Sequence, residues 1–242
     1  MYTFRMFGTA AAVVLTLAAQ AQTVDEIVEK NIAARGGAEK LKGLKTLVIE
    51  NSMSTQGMDI PMKQSIIVGR GMRMDISVMG NEMITVIDGD KGWALRPPMM
   101  GGTGEPEDLP ADQLKGTQGQ MDPTGPLYNY KEKGNTIELV GKEPVDKKDT
   151  YHLKVTTKDG NVADYYIDAN TYLLTKQVAT ANMNGQEMKQ EMTFADYKDV
   201  DGIKFSQTME TSSPMGGTMT ITTNKIVVNG PLDEKIFAKP GK

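Results

Sequence analysis

From Thr46 to Val228 apolar residues recur at every second position, and turn-forming dipeptides interrupt the run at short intervals. A period of two belongs to a half-buried strand, whose successive side chains point to opposite faces. Met58, Ile60, Met62, Ile66 and Val68 share one parity and oppose Asp59, Lys63 and Ser65; Met72, Met74, Ile76 and Val78 oppose Arg73, Asp75 and Ser77. Leu47, Ile49 and Met53 follow the same rule, as do Tyr151, Leu153 and Val155, then Met188, Met192 and Phe194, then Ile203, Phe205 and Met209. Gly80-Asn81, Asp88-Gly89, Asp159-Gly160, Asn184-Gly185 and Asp201-Gly202 supply the turn chemistry that tight hairpins need. The pattern predicts about a dozen antiparallel strands, each apolar on one face.

A sheet that wide cannot stay flat; it curls or splits, and its apolar face must be covered. One amphipathic helix is available for the task. Thr23-Val24-Asp25-Glu26 is a capping box, Val24, Ile27, Val28 and Ile32 form the apolar stripe, and Gly36-Gly37 stops the helix. A second short helical turn is expected over residues 38–44. Since one helix cannot cover a flat sheet, the reading is a mainly β fold: an unclosed, strongly curved antiparallel barrel of about 11 or 12 strands around that helix, with an apolar cavity inside. A two-sheet sandwich with a solid core is the alternative. Residues 97–126 hold six of the eleven prolines and cannot form a central strand; they are expected to form a lid, with a short helix over 108–115. The last strand is expected over Met219–Val228, and 231–237 closes the chain as a turn or short helix.

Composition removes many functions. With no cysteine and one histidine the chain has no disulfide, thiol nucleophile or paired-histidine metal site, and a net charge of −4 lacks the basic excess that nucleic acid requires. The opening MYTFRMFGTAAAVVLTLAAQAQ has one cation, an apolar stretch of about 14 residues and an Ala-Gln-Ala site, which reads as a cleaved export signal over residues 1–21 and a single domain over 22–242. A periplasmic, soluble monomer is expected. His152 lies on the polar parity of its strand and reads as solvent-facing rather than catalytic. The Asp88-Gly-Asp90 run departs from a calcium loop at Gly92, Trp93 and Met99, so it reads as a hairpin turn. No catalytic residue, metal site or cofactor is expected.

The chain contains 18 methionines, and many share parity with apolar strand residues. Methionine is unbranched and polarizable, and suits a surface that moulds to variable apolar partners. The expected cavity-facing residues are Ile49, Met53, Met62, Ile66, Met72, Met74 and Ile76 from the first strands, and Met188, Met192, Phe194, Phe205 and Met209 from the last ones. Trp93, the one tryptophan, is expected in the core or at the cavity rim.

Several segments, in order, resemble the LolA-type superfamily of periplasmic lipoprotein carriers and lipid-binding proteins. They are the helix ending in Arg35-Gly36-Gly37, then 71–75 (GMRMD), 87–93 (IDGDKGW), 165–173 (YYIDANTYL) and 194–205 (FADYKDVDGIKF). The resemblance implies an unclosed barrel capped by helices, with a cavity for acyl chains of a lipoprotein or lipid. It further implies passage from an inner-membrane donor to an outer-membrane acceptor. Carriers of this type use an arginine near the lid to hold the empty form closed, and Arg70, Arg73 or neither could take that role. The superfamily also includes an envelope sensor, so a module that binds a lipid or protein without transferring it is the alternative function.

Overall fold

The computed structural model describes residues 22–111, 113–114, 118–183, 186–212 and 217–241. The export signal, the Asn184-Gly185 turn and Lys115 lie outside them. Helix α1 (Val24–Ala34) begins at the expected capping box: the Glu26 amide donates to Thr23 Oγ1 at 3.3 Å and the Thr23 amide to Glu26 Oε2 at 2.8 Å. It ends at Arg35, followed by Gly36 and Gly37 with φ of +125° and +90°, which lead into α2 (Ala38–Lys42).

The first group of strands is β1 (Thr46–Thr55), β2 (Met58–Ile67), β3 (Gly71–Val78), β4 (Asn81–Asp88), β5 (Lys91–Leu95) and β6 (Pro106–Asp108). The second is β7 (Thr136–Val145), β8 (Lys148–Thr156), β9 (Val162–Asp168), β10 (Leu174–Met183) and β11 (Gln186–Ala195). After these come β12 (Lys198–Val200), β13 (Ile203–Phe205), β14 (Thr208–Ser212) and β15 (Thr218–Val228). Thirteen strands form one antiparallel sheet in the order β6-β5-β4-β3-β2-β1-β15-β14-β11-β10-β9-β8-β7, which does not close, and β12 pairs with β13 apart from it. Short β6, β12 and β13 raise the count above the expected dozen. The stretch read as one strand through Ile203 and Met209 is split between β13 and β14.

Both faces of the sheet carry apolar cores. On the inner face α1 sets Ile27 and Val28 against Tyr151, Leu153, Val155, Tyr165 and Ile167 of β8 and β9. Toward the other end of that face Leu47, Ile66, Met72 and Ile87 pack under Leu114 and Met121, while Leu41 and Leu44 meet Tyr128 and Ile203. Each of these fully buried aliphatic side chains is worth about 1.5–3 kcal/mol.

The outer face carries a core that period-two reading treats as the solvent side. Ile84 and Val86 of β4 face opposite to Ile87 and pack with Trp93 and Phe237, where residues 234–237 form a 3-10 turn. Trp93 Nε1 donates to Phe237 O at 3.0 Å, and Arg73 Nη1 to Ile236 O at 2.8 Å, so the C-terminal segment is strapped across the back of the sheet. With Trp93 4% exposed and on this outer face, its emission is expected to stay unchanged when a ligand fills the inner side. A titration with a non-fluorescent fatty acid checks this, and a large shift would mean that the two faces are coupled.

Candidate functional site

The inner face is not filled along its whole length. Between the α1 half and the β1–β3 half lies a cavity of about 600 Å³, roofed by residues 119–127. Ile49, Ile66, Met74, Met192, Phe194, Phe205 and Met209 line it, so these seven sequence-predicted residues converge on one space. The pairing register explains how. Met209 stands opposite both Phe194 and Ile221, and Gln64 opposite both Ile49 and Met74, so each row of same-face residues crosses several strands.

The other predicted residues are placed differently. Met72, 1% exposed, is packed beneath Leu114 and Met121 rather than facing the space. Met62 and Ile76 line an adjacent pocket of about 330 Å³ that also contains Lys63 and Glu82. Met53 shares the inner face through its register with Ile60 and Ile221. Trp93 is on the outer face, away from the cavity. Met188 is paired with Ala181 in the register of β10 and β11, and its side chain lies outside the described residues.

The expected lid segment divides in two. Its first part carries the 98–100 turn and β6, whose Pro106 pairs with Leu95 at the edge of the sheet, where a missing N–H is tolerated. Only its second part roofs the cavity, and it is tied down on two sides. Arg35 Nη1 donates to Thr124 O at 2.5 Å and Nη2 to Pro123 O at 3.2 Å. Opposite, Lys133 Nζ reaches Asp122 Oδ2 at 2.5 Å and Gly125 O at 2.8 Å, while Asn135 Nδ2 donates to Pro126 O at 3.0 Å.

Arg35 is the residue that sequence reading missed. It sits in the quoted Arg35-Gly36-Gly37 motif, but nothing local says that a helix end will meet a loop some ninety residues away. Burial lowers its pKa while Tyr197, Asp122 and Tyr165 oppose the shift, and a guanidinium in such a place remains charged. Neither arginine considered from the resemblance touches the roof. Arg70 pairs with Asp88 and Glu234, and Arg73 with Asp75 and the C-terminal segment.

Two tyrosines line the cavity beside Arg35. Burial pushes Tyr165 and Tyr197 up to about 12, with the Arg35 charge acting in the opposite direction. The fold therefore favours their neutral form. That stabilisation is whole below the unfolded value near 10 and is lost as pH rises from there through 12. Absorbance at 295 nm is expected to show two tyrosines titrating near pH 12, together with alkaline unfolding in that window.

His152 is on the outer face but is not solvent-facing as expected: its side chain is 16% exposed and held by its neighbours. Nδ1 lies 2.7 Å from Glu143 Oε1 and Nε2 2.8 Å from Asp164 Oδ1, with the ring stacked on Tyr166. Among the described residues no group of three His, Cys, Asp or Glu side chains is placed to hold a metal ion.

Comparison with solved structures turns on the whole sheet. A LolA superfamily protein from Nitrosomonas europaea superposes with a TM-score of 0.59 over 90% of this chain and 99% of its own, at 13% identity. The fold is LolA-like. A DUF1329 family protein from Desulfovibrio piger shares this LolA-like fold at a TM-score of 0.60 and 14% identity, covering 90% of this chain and 98% of that one. So does a domain from Vibrio parahaemolyticus described as that of an outer membrane lipoprotein-sorting protein, at 0.55 and 15%, again over 90% and 98%. A family model whose description reads "Uncharacterized protein" matches residues 128–240, the part of the chain that carries β7–β15. No curated protein matches the chain in sequence.

Proposed function

We propose that this protein is a periplasmic carrier that takes acyl chains of a lipoprotein or lipid into the inner-face cavity, shields them from water and releases them to a membrane acceptor. The observation that carries the reading is a largely apolar space of about 600 Å³ under a roof latched by a half-buried arginine. Burying a methylene is worth about 0.8 kcal/mol, so one long chain supplies a gross driving force of about 10 kcal/mol. A grip of that strength needs an opening step for release, and the Asp122–Pro126 loop is the part that would move. Delivery from an inner-membrane donor to an outer-membrane acceptor, as in outer membrane lipoprotein sorting, is the role such a carrier would play.

Native mass spectrometry of protein purified gently from a periplasm, followed by solvent extraction, tests this. Acyl species that leave on extraction are the expected result. A clean apo mass, with no uptake of added lipids or acylated peptides, would end the carrier reading. Transfer of a bound lipid to acceptor vesicles separates a carrier from a sensor with the same cavity, which would bind and deliver nothing.

A further inference from the structure

Among the described residues, three buried side-chain polar atoms have no hydrogen-bond partner: Asn31 Oδ1, Asn51 Oδ1 and Thr55 Oγ1. Two of the three belong to residues lining the cavity. Asn31 is 2% exposed and Asn51 9%. A buried amide oxygen left unpaired carries a desolvation cost that an apolar side chain of similar size would not.

Their settings differ in origin and agree in outcome. Asn31, on the face of α1 that carries Ile27, gives its Nδ2 to Tyr172 O at 2.7 Å, which leaves Oδ1 over. Asn51 follows the bulge at Glu50 in β1 and stands opposite Thr223 and Met62, flanked along its strand face by Ile49 and Met53. An apolar residue at position 51 would continue the greasy stripe without interruption. Gln64 and Gln177 also reach the lining, from β2 and β10. A cavity built only for plain hydrocarbon has no use for acceptors at these depths.

We propose that the cavity selects acyl chains bearing a hydroxyl group, which donates to Asn51 Oδ1, with Asn31 Oδ1 on α1 as a second acceptor. The proposal rests on the carrier reading and adds to it the chemical class of the ligand. A hydroxyl fits because it adds one donor in about the volume of a methyl and keeps the rest of the chain free to meet Met74, Met192 and Phe194. An ester or an unsubstituted chain offers no donor and leaves both amide oxygens unpaired.

The test is displacement of a pyrene-labelled fatty acid from the full mature chain by matched pairs: hexadecanoate against 3-hydroxyhexadecanoate, and octadecanoate against 12-hydroxyoctadecanoate. At least one hydroxylated member is expected to bind about tenfold more tightly than its plain partner. In Asn51→Leu the plain chain is expected to gain affinity and the preference to vanish, with Asn31→Leu as the second variant. Circular dichroism checks that each variant folds, and the wild-type comparison stands as a test even if neither does. Equal affinities within both pairs would overturn the hydroxyl proposal and leave the carrier reading intact. A preference that survives in both folded leucine variants would also overturn it. Failure of every fatty acid to displace the probe would remove both readings together.

Discussion

Replacing Arg35 with alanine is expected to speed both uptake and release of a labelled fatty acid by about ten- to a hundredfold, while Kd changes far less. The two bonds from its guanidinium to Thr124 O and Pro123 O tie the end of α1 to the roof. Both bonds must break before the Asp122–Pro126 loop can lift, and at this part-buried site, where water replaces part of what is lost, the two together are expected to contribute about 1.5–3 kcal/mol. In the proposed cycle the roof closes over the loaded and the empty cavity alike, so loss of these bonds is expected to lower the barrier in both directions more than it shifts the equilibrium. Lysine has one ammonium in place of the planar fork and is expected to give an intermediate rate. Arg73→Ala removes an arginine from the outer face and serves as the control with no effect on exchange. Stopped-flow mixing with vesicles reads these rates, and an unchanged rate in Arg35→Ala would remove the latch from the mechanism.

Gly36→Ala is expected to destabilise the protein by about 3 kcal/mol, or lower Tm by about 10 °C. Gly36 has φ of +125°, and a Cβ there would sit 2.0 Å from Gly202 O and 3.2 Å from Ile203 Cα. Backbone cannot swing aside as a flexible side chain can, so either α1 or the β12–β13 turn must retreat. That contact also sets the position of the latch, because the Lys204 amide donates to Arg35 O at 2.9 Å immediately beside it. Gly37 provides the comparison. Its φ of +90° and ψ of 160° are nearly confined to glycine, but nothing crowds the added Cβ within 4 Å, so Gly37→Ala is expected to cost the backbone strain alone, about 1–2 kcal/mol. Thermal unfolding followed by circular dichroism separates the two, and similar losses would mean that close approach at Gly36 is relieved elsewhere.

The alternation of Met58 to Val68 and of Met72 to Val78 was enough to place β2, β3 and the faces they present, because one-faced burial imposes a period of two. The capping box at Thr23 and the glycines after Arg35 likewise marked both ends of α1. The turn at Asp146-Lys147 carried no such signal: both residues adopt positive φ, of 48° and 66°, without a glycine. Trp93 was misjudged as possible rim because parity says which residues share a face and not whether the other face is wet. The C-terminal segment that dries the outer face arrives from more than a hundred residues away. Arg35 and Asn51 were illegible for a related reason. A lone arginine after a helix is usually a solvated end, and a lone asparagine in a strand interrupts a pattern; only the tertiary arrangement shows what each one meets.

The position of β15 has a consequence for how the chain comes to be folded. β1 to β6 form one meander and β7 to β11 another, each made of neighbours in sequence that can pair as soon as they exist. β1 finds its second partner only in β15, where Leu47 pairs with Val228, and β14 and β15 are the sole link between the two meanders in the large sheet. The cavity spans that seam, since Ile49, Phe194, Met209 and Ile226 come from both sides of it. Pairing across so long a stretch of chain is slow, and it cannot begin while the last strand is still being synthesised. A chain that lacks β15 is therefore expected to leave the two meanders unjoined, and the ligand site is complete only once that strand is in place.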